Sequence, residues 1–216
     1  MSGERTHVPV PADEDDLEEL KERWRRRIRE ARAHRSARHR EEDARSLAAV
    51  VGAIPQVAAA GCVSLYAARP GEPGTGPLLD LLAERGTRVL LPVLGSGLQR
   101  DWAAYAGADD LRERAPGRPL EPSGPTLGAA AISTAEVVLI PALAVDTAGT
   151  RLGQGGGWYD RALRDVPPGV PVIAVTYAEE VHDAATEPLP RAPHDRTVDA
   201  VATPRDVRWF RTPAAG

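Results

Sequence analysis

Short apolar runs alternating with helical stretches set the tightest limit on what this chain can fold into. Residues 62–68, 88–94, 102–105, 172–177 and 198–202 read as strands, and 137–145 as an apolar run broken by Pro141. Between them, 77–85 and 158–164 read as helices, the first stopped by Gly86. Strands separated by helices at this spacing predict βαβ units, hence an α/β fold: a three-layer α/β/α single domain with a mixed, mostly parallel sheet. The stretch 112–126 is rich in Pro, Gly and charge and reads as a loop.

Two helices precede this alternation. Leu17, Leu20, Trp24 and Ile28 fall at helical spacing over 17–33, and Asp13, Glu14, Asp15 and Asp16 stand before them, where acids complement the helix dipole. A second helix is predicted over 36–51, with Ser36 as its N-cap. The domain is expected to span 15–210, with a flexible tail at 1–14 and a short C-terminal tail at 211–216.

Composition removes several classes of function. Cys62 is the sole cysteine, so an internal disulfide and a cysteine metal cluster are excluded, and its apolar neighbours make it a core thiol. The histidines, His182 and His194 among them, show no zinc spacing. The acidic start has no apolar signal region, and no apolar run nears the roughly 20 residues that span a bilayer. A cytoplasmic address and no membrane partner are therefore expected. A net charge of −4 favours no anionic partner globally. The basic run from Lys21 to Arg38 has a single aromatic residue, Trp24, and acidic flanks, so it does not read as a nucleic-acid surface.

The segment from Ile140 to Arg161 carries the chemistry. An apolar strand ends near Asp146. Arg151, Leu152, Gly153, Gln154, Gly155, Gly156 and Gly157 follow, and a helix is predicted from Trp158. Residues without Cβ let a backbone lie against a ligand, and a helix N-terminus beyond them offers N–H groups to phosphate. Arg151 adds a planar donor fork, and Asp160 can hold a hard cation beside the phosphates. The run lacks the Gly-Lys-Ser/Thr of a Walker A loop and the third glycine of the dinucleotide fingerprint. By composition alone, a plain strand-to-helix connection reads equally well. Arg151, Trp158, Tyr159, Asp160 and Arg161 favour a site, since a linker needs none of them.

This segment resembles the motif Arg-Leu-Gly-x-Gly-x-Gly-Tyr-Tyr-Asp of the 5-formyltetrahydrofolate cyclo-ligase family, with Trp158 in place of the first tyrosine. Lys21 to Arg25, with Trp24 in a leucine slot, is similar to the family's N-terminal Lys-x-x-Leu-Arg helix. Tyr66 to Thr75 resembles its Tyr…Glu-x-x-Thr loop, 88–94 its Lys/Arg-x-x-Leu-Pro strand, and Glu121-Pro122 its Glu-Pro pair. His194-Asp195 with Val198-Asp199 resembles its C-terminal His-Asp…Val-Asp. The likeness runs from Lys21 to Thr203.

The resemblance implies ATP-dependent cyclisation of 5-formyltetrahydrofolate to 5,10-methenyltetrahydrofolate by a monomer acting on small molecules. It implies ATP contacts from Lys21, Arg25 and Arg151 through Tyr159. It implies folate contacts from Glu72, Gly156, Trp158 and Tyr159, with Trp102 either stacked on the pterin or filling the core. Mg2+ would sit on Asp160 and Asp195. Read by composition alone, Lys21 and Arg25 are part of a solvated basic face and Glu72 is an ordinary loop acid. A sugar-phosphate isomerase, an acyl-CoA transferase-like enzyme or a non-catalytic nucleotide-binding module on a similar scaffold are the alternatives.

Overall fold

The computed structural model describes residues 14–94, 100–114 and 118–211. The expected tails therefore lie outside the described residues, except that Glu14 is already helical and Arg211 closes the described chain. Residues 115–117 of the expected loop also lie outside them.

Helix α1 runs Glu14–Ala33, so Glu14, Asp15 and Asp16 occupy its first turn rather than preceding it, and Asp13 lies outside the described residues. Helix α2 is Ala37–Gly52, and the Ser36 side chain accepts the His39 N–H as predicted. Helix α3 (Pro55–Ala59) leads into strand β1 (Cys62–Ser64), then helix α4 (Gly76–Glu84) and strands β2 (Arg88–Leu94) and β3 (Arg100–Ala104). Strands β4 (Leu111–Glu113) and β5 (Leu120–Pro122) form an antiparallel hairpin. Then come β6 (Val137–Pro141), β7 (Ala144–Asp146), β8 (Arg151–Leu152), helix α5 (Trp158–Ala162), β9 (Val172–Val175), β10 (Val181–His182), β11 (Ala200–Ala202) and β12 (Val207–Trp209).

The main sheet has the order β12-β11-β9-β6-β1-β2-β3. Strands β11, β9, β6, β1 and β2 pair in parallel, and the two edges, β12 and β3, are antiparallel. Alternate residues feed two cores. Val63, Val89, Leu91, Leu139 and Ile173 pack with Leu47 and Val51 of α2 and Leu78 and Leu82 of α4. Leu90, Val138, Ile140 and Ala174 face the other way, onto Ile132, Ala162 and Leu163. This period-two division makes the three layers.

A small sheet, β10-β7-β8, stands apart from the main one. Pro141, which has no N–H to continue a ladder, ends β6, and the chain re-forms as β7 in the second sheet. Helix α1 lays Trp24 and Ile28 against Leu143, Ala144, Leu152 and Leu189. That contact holds α1 on the small sheet. No described helix is long and apolar enough to cross a membrane.

Three expectations change. The strand predicted over 62–68 stops at Ser64, because Thr75 Oγ1 takes over the backbone beyond it, donating to Tyr66 O at 2.7 Å and accepting the Ala68 N–H at 3.1 Å. The predicted loop 112–126 contains part of the β4–β5 hairpin. The glycine-rich segment opens with strand β8, which pairs with β7, so Arg151 and Leu152 are sheet residues.

Candidate functional site

Strand order decides where a crevice opens. From β1 the chain moves outward to β2, and later returns to place β6 on the other side of β1. The connections beyond β1 and β6 therefore diverge, and open α/β sheets bind ligands at such a point, outside the carboxyl ends of the strands. A cleft of about 510 Å³ lies there. One wall is the segment after β1, with Tyr66, Ala67, Arg69 and Glu72; its floor includes Pro92, Leu94 and Pro141 at strand ends. The opposite wall is Arg151 to Arg161 with Arg164, and α1 contributes Glu18, Lys21 and Arg25. His194 and Asp195 complete the rim.

The sequence-predicted residues are thus brought together from four separated segments. Lys21, Arg25, Glu72, Arg151, Leu152, Gly153, Gln154, Gly155, Gly156, Gly157, Trp158, Tyr159, Asp160 and Asp195 all line the cleft. Trp102 does not. It is fully buried in the core, 5.2 Å edge-on from the Trp158 ring, and so supports a lining residue instead of meeting a ligand. Its place in β3 turns its ring inward to the layer beneath the sheet. Sequence reasoning marked Arg161 as a flanking residue without giving it a role, and missed Tyr66, Arg69, Arg164 and Glu18. Tyr66 and Arg69 lay within a segment already singled out, but no spacing rule marked Arg164 or Glu18.

The basic groups are held by partners. Lys21 Nζ lies 2.6 Å from Asp195 Oδ2, and Arg151 Nη2 lies 2.8 Å from Asp160 Oδ1. Arg25 Nη1 pairs with Glu18 at 2.6 Å and Glu22 at 3.2 Å, while its Nε donates to Gly153 O at 3.1 Å. Burial works against the Asp195 carboxylate, but the Lys21 ammonium and the Ala192 N–H outweigh it and hold its pKa below the ordinary aspartate value.

The glycine run is tied on both sides. Arg29 Nη2 donates to Gln154 O at 3.2 Å, and Gln154 Nε2 donates across the cleft to Glu72 Oε1 at 3.3 Å. Glu72 is itself buried, its Oε2 accepting the Arg69 N–H at 2.9 Å. Helix α5 is five residues long and continues as a 3-10 turn, so its dipole is smaller than the sequence suggested, and side chains must supply most of the positive charge.

Several buried polar atoms of the two walls have no partner among the described residues: Tyr66 and Tyr159 hydroxyls, Trp158 Nε1, and the Nε atoms of Arg151 and Arg161. Buried polar groups are normally satisfied, so a cluster of unpaired ones around a cleft marks a surface shaped for a polar ligand. Burial raises the Tyr159 phenol far above its ordinary pKa, with Glu72 adding to the shift, so the hydroxyl keeps its proton.

The chain is similar to known proteins in sequence and in fold. A family model described as the 5-formyltetrahydrofolate cyclo-ligase family matches residues 17–204. The chain is 40% identical over 154 residues to the 5-formyltetrahydrofolate cyclo-ligase of Mycolicibacterium smegmatis, covering 66% of this chain and 73% of that one. It is 30% identical over 184 residues to the Escherichia coli protein of the same name, covering 83% and 98%. Among solved structures, an NMR structure of Aquifex aeolicus 5,10-methenyltetrahydrofolate synthetase superposes with a TM-score of 0.75 at 25% identity, covering 91% of this chain and 96% of that chain.

Proposed function

The chain belongs to the 5-formyltetrahydrofolate cyclo-ligase family, and from that premise we propose that it couples ATP cleavage to ring closure of 5-formyltetrahydrofolate, giving 5,10-methenyltetrahydrofolate, ADP and phosphate. The observation that carries this reading is the convergence of α1, the glycine run and the Glu72 segment on one cleft lined with unpaired polar atoms. The family match gives no support to the isomerase, transferase or non-catalytic alternatives.

In this reaction the formyl oxygen attacks the γ-phosphorus and ADP leaves. The neighbouring exocyclic amine nitrogen then attacks the formyl carbon, loses its proton, and phosphate departs with the former formyl oxygen. The protein's share is positioning and neutralisation of phosphate charge. Lys21, Arg25 and Arg151 hold phosphate oxygens, and the backbone from Leu152 to Gly157 lies alongside them. Tyr159, Trp158, Gly156 and Glu72 face the folate. Phosphate entering beside Lys21 and Arg151 replaces Asp195 and Asp160 as their partners.

Those two carboxylates are then free for a cation. Among the described residues no group of three or more His, Cys, Asp or Glu side chains gathers as a resident metal site. Asp160 and Asp195, two carboxylates beside a phosphate subsite, would hold Mg2+ accompanying the nucleotide. Such an ion supplies charge neutralisation at the phosphates. The same reading makes the enzyme cytoplasmic and monomeric.

The test is turnover. Purified protein with ATP, magnesium and 5-formyltetrahydrofolate should form the methenyl chromophore. Omitting ATP should abolish it, and chelating magnesium should strongly reduce it. No product from well-folded protein, beside an active control enzyme, removes the assignment.

A further inference from the structure

We infer that Tyr66 is a substrate-positioning residue whose phenolic O–H donates a hydrogen bond to a carbonyl oxygen of the bound folate. The inference rests on the folate reading above. Tyr66 is 3% exposed, stands in the cleft wall just beyond β1, and its hydroxyl is buried without a partner among the described residues. An unsatisfied buried hydroxyl costs about 1–3 kcal/mol, and a phenylalanine would fill the same space without it. A hydroxyl kept under that penalty is explained by a partner that comes and goes.

No described residue supplies that partner. The neighbouring Tyr177 hydroxyl is already committed, donating to Glu72 O at 3.2 Å, and the Tyr159 hydroxyl is itself unpaired. The Tyr66 backbone is fixed, because Thr75 Oγ1 donates to its carbonyl at 2.7 Å. The ring therefore stays in the wall.

The surroundings select the kind of ligand atom. Burial, reinforced by the nearby Glu72 carboxylate, keeps the Tyr66 proton in place well beyond neutral pH, so the group serves as a donor and needs an acceptor. A phosphate oxygen is a poor candidate beside the negative Glu72, and the cations suited to phosphate lie on α1 and the glycine run. A carbonyl next to an N–H suits the pair: the N–H donates to Glu72 and the carbonyl accepts from Tyr66. A folate's pterin ring presents such an edge.

Tyr66→Phe tests this, with thermal unfolding measured alone, with 5-formyltetrahydrofolate, and with Mg-ATP, alongside steady-state kinetics. The ligand-free variant should melt at or above the wild-type temperature. The folate-induced rise in melting temperature should shrink, and KM for 5-formyltetrahydrofolate should increase about three- to tenfold. KM for ATP and kcat should change less than about twofold. A lower melting temperature with activity falling in proportion makes Tyr66 structural and overturns the inference. So does an unchanged folate KM, or a loss confined to ATP-induced stabilisation. Wild-type protein that neither turns over nor is stabilised by the folate sinks the functional reading and this inference together. Active wild type with an indifferent variant sinks the inference alone.

Discussion

Gly155 and Gly156 are neighbours in the run that faces the cleft, yet they answer to different constraints. Gly155 has φ +103°, and a Cβ there would meet Arg25 at 3.3 Å. Gly156 has no positive φ, and a Cβ there meets nothing within 4 Å. Gly155→Ala should therefore destabilise by about 1–3 kcal/mol, the usual cost of a strained backbone. Gly156→Ala should leave the melting temperature unchanged, so any activity it loses reports a ligand against the loop. Near-normal turnover in Gly156→Ala would take the ligand off this turn. Asp195 gives a pH test. Its folded pKa is depressed below the ordinary aspartate value, so its contribution to stability is complete above the unfolded value and is lost as pH falls through the folded one. The stability gap between wild type and Asp195→Asn should stay level at neutral pH and narrow as acid protonates the folded carboxylate. Urea unfolding across that range checks it, and a gap that persists into acid would refute the pairing. The motif residues were legible in the sequence because their chemistry is concentrated in one run. The Tyr66 hydroxyl was not, since an unpaired atom is a property of its surroundings, and Trp102 could be assigned to core or ligand only once the face of β3 was known.

Helix α1 shows how one element divides its faces between support and chemistry. Trp24 and Ile28 seat it on the small sheet, while Lys21 and Arg25 reach the cleft. Arg32 does neither: it is buried, with Nε and Nη2 each 2.7 Å from a Glu180 carboxylate oxygen and Nη2 donating to Ala142 O at 2.8 Å. Breaking such a pair from one side leaves a buried charge, so Arg32→Ala should cost about 3–5 kcal/mol in urea unfolding. Arg27 is 59% exposed, over the Trp24 ring and near Glu187, and Arg27→Ala should cost at most about 1 kcal/mol. Lys21→Ala and Arg25→Ala should each weaken apparent ATP affinity by about 1–3 kcal/mol, whereas Arg27→Ala leaves it alone. If the three behave alike, the helix acts only as a diffuse positive surface. The helical period and the Ser36 cap were readable because both are local. Glu180, the partner of Arg32, was not, because the pairing joins residues far apart in the chain. The early end of β1 escaped for the same kind of reason: an apolar run does not reveal that the Thr75 side chain will take its backbone hydrogen bonds.

For the whole molecule, alternation of apolar runs was enough to foresee a layered sheet, and the strand order then fixes where a cleft can open. What alternation cannot supply is that order, nor the second sheet on which α1 rests, because both depend on pairings between distant segments. Since the cleft lies between α1 and the ends of the main sheet, ligand that bridges them should slow local opening of the helix. Amide exchange over Glu14–Ala33 should therefore slow when Mg-ATP is added, while the strands of the main sheet change little. Equal slowing throughout would mean global stabilisation without a bridge. The contact between Trp102 and Trp158 has an optical consequence. The rings lie 5.2 Å apart at 66°, and the Tyr159 ring stands 4.8 Å from that of Trp158. Chromophores this close share their excitation, and the near-ultraviolet circular dichroism of the pair depends on their mutual angle. One ring is buried in the core and the other lines the cleft, so the molecule carries a reference chromophore beside one that a ligand can touch. Occupancy of the cleft can be followed in unlabelled protein by the light these rings absorb.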